Sequence, residues 1–167
     1  MDGSSMTTAE VVEGLTRERA RLDGAVNALG AGASTVSVTE EGGWTSQDVL
    51  AHLVHYAGQL CFGLGAPEKP PPYVIGVASR VTGQEWNERA VAYWSDFDLG
   101  AVRSEFERVT NVLIACAALR SDDEMNATDS IPWAGRRPLW EIIGADTFLN
   151  EWPAHAVQME RAAASPA

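Results

Sequence analysis

The chain has 167 residues, 46% apolar and 21% charged, a globular composition long enough to bury a core without staples. Its formal net charge of −11, with no basic run anywhere, excludes a phosphate-backbone partner, so no nucleic acid is expected. The longest apolar run, Val112 to Leu119, falls far short of the roughly 20 residues that cross a bilayer, so no membrane association is expected.

The stretch Met1 to Met6 has neither the basic nor the apolar segment of a secretion signal. Cys61 and Cys116 lie in apolar helical stretches and read as reduced core thiols. Both features lead us to expect a cytoplasmic protein. A single lysine, Lys69, against eleven arginines, with abundant Ala and Gly, suggests a bacterial genome of high GC content.

The first helix is expected over Thr8 to Leu29. Thr7 or Thr8 can cap it, and Glu10 places a carboxylate in the first turn. Val11, Leu15, Leu22, Val26 and Leu29 form one apolar stripe, and Gly30-Ala31-Gly32 ends the helix. Glu18 falls on or beside that stripe and is expected to reach solvent at its flank. Residues 33–43 form a loop without period. Thr45 followed by Asp48 resembles a capping box, and it opens a helix from Ser46 to about Gly63. The core face of that helix carries Val49, Leu53 and Leu60. Asp48, His52, His55 and Gln59 make a neighbouring polar strip.

Residues 63–80 are rich in Gly and Pro and are expected to be a covering loop. Helix returns at about Thr82, pauses at Ser95-Asp96-Phe97-Asp98, and resumes from Leu99 to Arg120. Ser121 to Arg137 reads as a second loop containing Ile131-Pro132-Trp133-Ala134-Gly135. Pro138 then opens a last helix, expected to kink at Pro153 and to fray from Ala162. No window alternates with a period of two and no linker divides the chain. The expectation is all-α: a four-helix bundle with two long crossings, one domain over 1–167, disordered over 1–6 and frayed over 161–167.

Glu151 and His155, four apart, share a face of an unbroken helix. With His52 from another helix they would make a two-histidine, one-carboxylate site open to water or substrate, suited to zinc, nickel, manganese or ferrous iron. The competing reading is a solvated Glu–His pair worth a few tenths of a kcal/mol. His55, Trp86, Trp133 and Trp152 are the candidate substrate-binding residues, since aromatic side chains line small-molecule pockets. The alternative for each tryptophan is a bulky core residue. No GxGxxG, Walker, CxxC or GxSxG motif is present.

Gly43-Trp44-Thr45-Ser46-Gln47-Asp48-Val49-Leu50-Ala51-His52-Leu53 resembles the GWTxxDVLAHL signature of the DinB/YfiT-like superfamily. Ile131 to Phe148, followed by Glu151 to His155, is similar to the PWxGxxPLxxxIxxxTxxH segment of the ClbS/DfsB-like branch. The resemblance runs from Thr7 to Met159. It implies an up-down-down-up four-helix bundle, often dimeric, so a homodimer is one expectation. It also implies a metal triad of one histidine at the end of the first motif and an HxxxH pair on the last helix. His52 matches the first position and His155 the last; Glu151 stands where the family has histidine. The ClbS-like branch implies a small-molecule enzyme that disarms an electrophilic metabolite, in self-resistance or detoxification. The mycothiol-dependent maleylpyruvate isomerase branch implies a low-molecular-weight thiol such as mycothiol as cofactor. The expected function is therefore hydrolysis of, or thiol transfer to, an electrophile in a Trp-lined cleft. His52 and Glu151 would be catalytic, the latter as ligand or general base. The alternative is a non-catalytic protein that sequesters a hydrophobic metabolite.

Overall fold

The computed structural model describes residues 5–39, 43–66 and 83–165. Within them the chain is all-helical, without strands, in seven α-helices: α1 (Thr8–Leu29), α2 (Ser46–Gly63), α3 (Gly83–Trp94), α4 (Leu99–Ala118), α5 (Asp122–Asn126), α6 (Leu139–Ala145) and α7 (Glu151–Ala164). The loop before α2 is pinned by one isolated antiparallel bridge, Ser37 to Thr45. The Pro-rich run and the expected helix start at Thr82 fall in residues 67–82, outside the described residues.

Local chemistry sets most helix starts. Thr7 and Glu10 form a complete capping box on α1. Thr45 and Asp48 do the same on α2, so Asp serves in place of Glu. Asp98 caps α4 through the Ala101 N–H. A third capping box, Ser121 with Glu124, starts α5 inside the stretch expected to be loop. The short helix was hidden because five residues are too few to show a period. Asn126 at its end receives the Met6 N–H and donates to the Met6 carbonyl, so Met6 is tied down rather than disordered.

The last helix is two helices. Pro153 removes one N–H and its ring excludes a helical carbonyl at Leu149, so a continuous helix across that point would be broken in its interior. The chain instead ends α6 at Ala145 and restarts at Glu151. Pro153 then occupies the first turn of α7, where a missing N–H costs nothing. The expected kink is thus a break over residues 146–150. There the Leu149 N–H reaches back to Gly144 and the Trp152 N–H to Thr147, and buried Thr147 donates its hydroxyl to the Ile143 carbonyl. Beyond it α7 stays helical through Ala164, so the expected fraying from residue 161 does not occur there.

The core is one cluster drawn mainly from α1, α2, α4, α6 and α7, with Leu15, Leu22, Leu53, Phe106, Leu113, Ile143, Trp152 and Met159 almost wholly buried. α2 packs chiefly on α4 and α1 on α7, with α1–α4 and α2–α3 as further pairings. Glu18 is only 7% exposed, correcting the flank expectation. Its carboxylate is held 2.9 Å from Arg17 Nε and 3.7 Å from Arg21 Nη1, and that charge pairing permits the burial. Arg21 also forks onto Glu160 with two 2.8 Å bonds, linking α1 to α7. Both cysteines are free thiols. No helix among the described residues is long and apolar enough to cross a membrane.

Candidate metal centre

His52 sits in the second turn of α2, and Glu151 and His155 in the first turns of α7. The break before Glu151 lets Glu151 and His155 share an unbroken helix and therefore one face. α2 and α7 are in contact, and that contact brings the three side chains together. His52 Nε2 lies 3.3 Å from Glu151 Oε2, and His155 Nε2 lies 3.6 Å from the same oxygen. One ligand atom from each residue falls within a group 4.8 Å across.

The other nitrogen of each ring decides what this group can do. The His52 Nδ1–H donates to Asn87 Oδ1 at 2.9 Å, and the His155 Nδ1–H donates to Gln158 Oε1 at 2.7 Å. An amide oxygen only accepts, so each bond places the proton on Nδ1. In the neutral ring that leaves the Nε2 lone pair facing Glu151. Two nitrogen lone pairs and a carboxylate oxygen then converge with no proton of their own between them. Only a proton or a cation stabilises that arrangement.

The donor set fits a divalent metal. Ligands ~2.0–2.1 Å from a tetrahedral zinc stand ~3.3 Å apart, close to the 3.3 and 3.6 Å found here. The group as a whole is wider, at 4.8 Å, so a bound ion would draw the two imidazoles inward. When the rings carry a second proton, the Nε2–H groups of His155 and His52 donate to Glu151, and these bonds outweigh partial burial and hold its carboxyl down to about 2. It is therefore an anion over the whole neutral range, as a ligand must be. Its position at the start of α7 adds the favourable end of the helix dipole.

Around the centre, the His52 ring packs edge-on against Tyr56 (4.8 Å) and against His155 (5.3 Å), and lies 5.5 Å from Trp44. Burial pushes the Tyr56 phenol up, helped by the charges of Asp146 and Glu151. Asp146 lies in the break before α7. Burial pushes its carboxyl up, and the Glu151 charge adds to this against Arg137 and His52.

A cleft of about 1140 Å³ opens beside the centre. His155, Asn87, Gln158 and Trp44 are in its wall, together with Gln84, Glu88, Arg161 and Ser165. Its wall is polar and apolar in equal measure, and Trp44 is the tryptophan among its described lining. Trp152 is fully buried, edge-on to Phe106 at 5.8 Å. That corrects its substrate-binding assignment: α7 points this residue into the core, and it is not among the described cleft lining. Trp133 stacks on Phe62 at 5.9 Å and closes the 131–135 loop over the end of α2. Trp86 meets His55 edge-on at 4.3 Å. His55 is 1% exposed, and burial, with the nearby His52, lowers its imidazole to about 4. These residues are not among the described cleft lining.

Sequence reasoning missed Asn87, Gln158, Trp44 and Arg161. Gln158 carried a signal, since it follows His155 at the three-residue spacing of one helix face. Asn87 carried none, because the approach of α3 to α2 places it.

No family model matches the sequence, and no curated protein matches it. Among solved structures, the crystal structure of an uncharacterised protein from Escherichia coli UTI89 is similar, with a TM-score of 0.75 at 13% identity over 93% of this chain and 91% of that one. At so low an identity the likeness is one of fold, and the chain shares that all-helical fold nearly end to end.

Proposed function

We propose that this protein is a metal-dependent enzyme of the DinB/YfiT-like type, with an up-down-down-up bundle built on α1, α2, α4 and the α6–α7 pair. Its divalent ion is held by His52, Glu151 and His155. The observation that carries the reading is the pair of amide-oriented imidazoles, whose Nε2 atoms face one carboxylate oxygen at 3.3 and 3.6 Å. A solvated Glu–His pair needs no such orientation of both rings. His52 is 4% exposed, and a buried imidazole held against a carboxylate beside a cleft marks a candidate functional site.

Two histidines and one carboxylate leave coordination positions free. When bound, the metal supplies a lowered pKa for a water or thiol placed there, and polarises an electrophile. The protein's own residues do the rest. Asn87 and Gln158 hold the imidazoles in their ligating tautomer, Trp44 and Tyr56 wall His52, and the cleft admits substrate from the His155 side. The reaction class is hydrolysis of, or thiol transfer to, a small electrophile.

The test is elemental analysis of the purified protein, followed by titration of chelator-treated protein with Zn²⁺, Ni²⁺, Mn²⁺ and Fe²⁺. One tightly bound equivalent is expected, and it should be lost in His52→Ala and Glu151→Ala without loss of helicity. Binding equally weak in the wild type and both variants would overturn the reading.

A further inference from the structure

We propose that Arg161 is an anion subsite at the far end of the cleft, and that the molecule bound there carries a carboxylate or phosphate about one cleft length from its reactive atom. Arg161 lines the same cleft as His155. It has no ion pair among the described residues, whereas Arg21, Arg89, Arg108 and Arg120 are each paired with a carboxylate. Glu88, the carboxylate in the cleft wall, is occupied in turn by the Gln84 amide at 3.0 Å. In a chain of net charge −11 the overall field repels anions, so an anionic ligand needs a local cation. A guanidinium supplies it with a fork that fits a carboxylate or phosphate.

The helix sets the spacing. Arg161 follows His155 by six residues on α7, which is ~9 Å along the axis at ~1.5 Å per residue. Between them Gln158 lines the wall, and beyond Arg161 come Ala162 and the hydroxyl of Ser165. The cleft therefore suits an elongated molecule with its reactive or metal-seeking group at His155 and its anion at Arg161. This departs from the apolar metabolite expected for a Trp-lined cleft. Arg161 also lies in the last turn of α7, where a cation favours the helix dipole. That role accounts for stability and predicts no ligand selectivity.

The proposal rests on the metal reading only for where the reactive end lies, so the test has separate arms. Suberic acid monohydroxamate, its methyl ester and acetohydroxamate are titrated into zinc-loaded and metal-free protein. Calorimetry and the side-chain NMR signals of Arg161 serve as readouts. The acid should bind the loaded protein about tenfold more tightly than the ester and shift the Arg161 Nε–H. The advantage should vanish in Arg161→Gln and persist in part in Arg161→Lys, while acetohydroxamate binds all three proteins alike. In metal-free protein the acid should still move the Arg161 signal, at higher concentration. Equal binding of acid and ester, or an Arg161 signal unmoved by the acid in both forms, overturns the subsite whatever the hydroxamate does. Loss of hydroxamate binding with the Arg161 shift retained overturns the metal reading and supports the subsite.

Discussion

Each histidine of the centre has one nitrogen tied to an amide oxygen and one facing Glu151. The amides are not ligands, yet they fix which atom is offered. Outer partners of this kind are worth about 10–100-fold in metal affinity. Asn87→Ala and Gln158→Ala should therefore each weaken zinc by that order, measured by competition with a chromophoric chelator. Asn87→Asp, which keeps an acceptor, should retain most of the affinity. Titration of His55 gives a second expectation at this scale. Its folded value is depressed, from 6.5 to about 4, so between those pH values the unfolded chain binds more protons than the native one. Stability therefore rises with pH across that window and falls on acidification, by at most about 3 kcal/mol. Glu151, depressed from 4.5 to about 2, acts the same way in the next window down: its contribution is present above 4.5 and lost as pH falls through 2. Thermal melts of metal-free His55→Gln across pH 4–6.5 should show a flatter slope than the wild type. An unchanged slope would remove His55 as the titrating group.

Glycines show how the helices are set against each other. A Cβ at Gly14 would lie 2.6 Å from Cδ2 of Phe148, a ring 4% exposed that belongs to the break before Glu151. The ring is buried against the core, so α1 and the 146–150 segment approach this closely because residue 14 is glycine. Gly24 on the same helix meets nothing within 4 Å. The two substitutions should thus have opposite signs. Gly24→Ala gains about 0.5–1 kcal/mol from helix propensity. Gly14→Ala gains the same term but overpacks the core at a cost of about 1–3 kcal/mol, for a net loss. Chemical denaturation of both variants reads this directly. Because the displaced ring supports the start of α7, Gly14→Ala should also weaken zinc binding.

Across the whole molecule the candidate ligands come from two helices far apart in sequence, with His52 on α2 and Glu151 and His155 on α7. A bound ion closes a clip between them and stabilises only the folded chain. At a free zinc concentration about 100 times the dissociation constant this adds ~2.7 kcal/mol. For a domain of this size that is a rise of about 5–10 °C in melting temperature. Differential scanning calorimetry of chelator-treated protein with and without zinc should show it, and Glu151→Ala should melt identically in both. A zinc-independent melting temperature in the wild type would remove the clip.

Periodicity and caps alone determined the all-helical class, the bounds of α1 and α2, and the shared face of Glu151 and His155. These are local signals: an apolar stripe, a Thr–Asp box and a four-residue spacing are each complete within a few turns. Tertiary structure decided the rest. Pro153 announced a disruption near residue 149, but only packing of Phe148 and Thr147 into the core put it before Glu151. That placement is what leaves Glu151 and His155 on one face. The role of each tryptophan was likewise undecided, because an indole suits a core and a cleft equally well. The direction of α7 buried Trp152, while the turn into α2 left Trp44 beside His52. Asn87 reaches His52 only through the packing of α3 on α2, a contact between elements thirty-five residues apart. Sequence spacing records neighbours along a helix; it does not record which helix lies across the cleft.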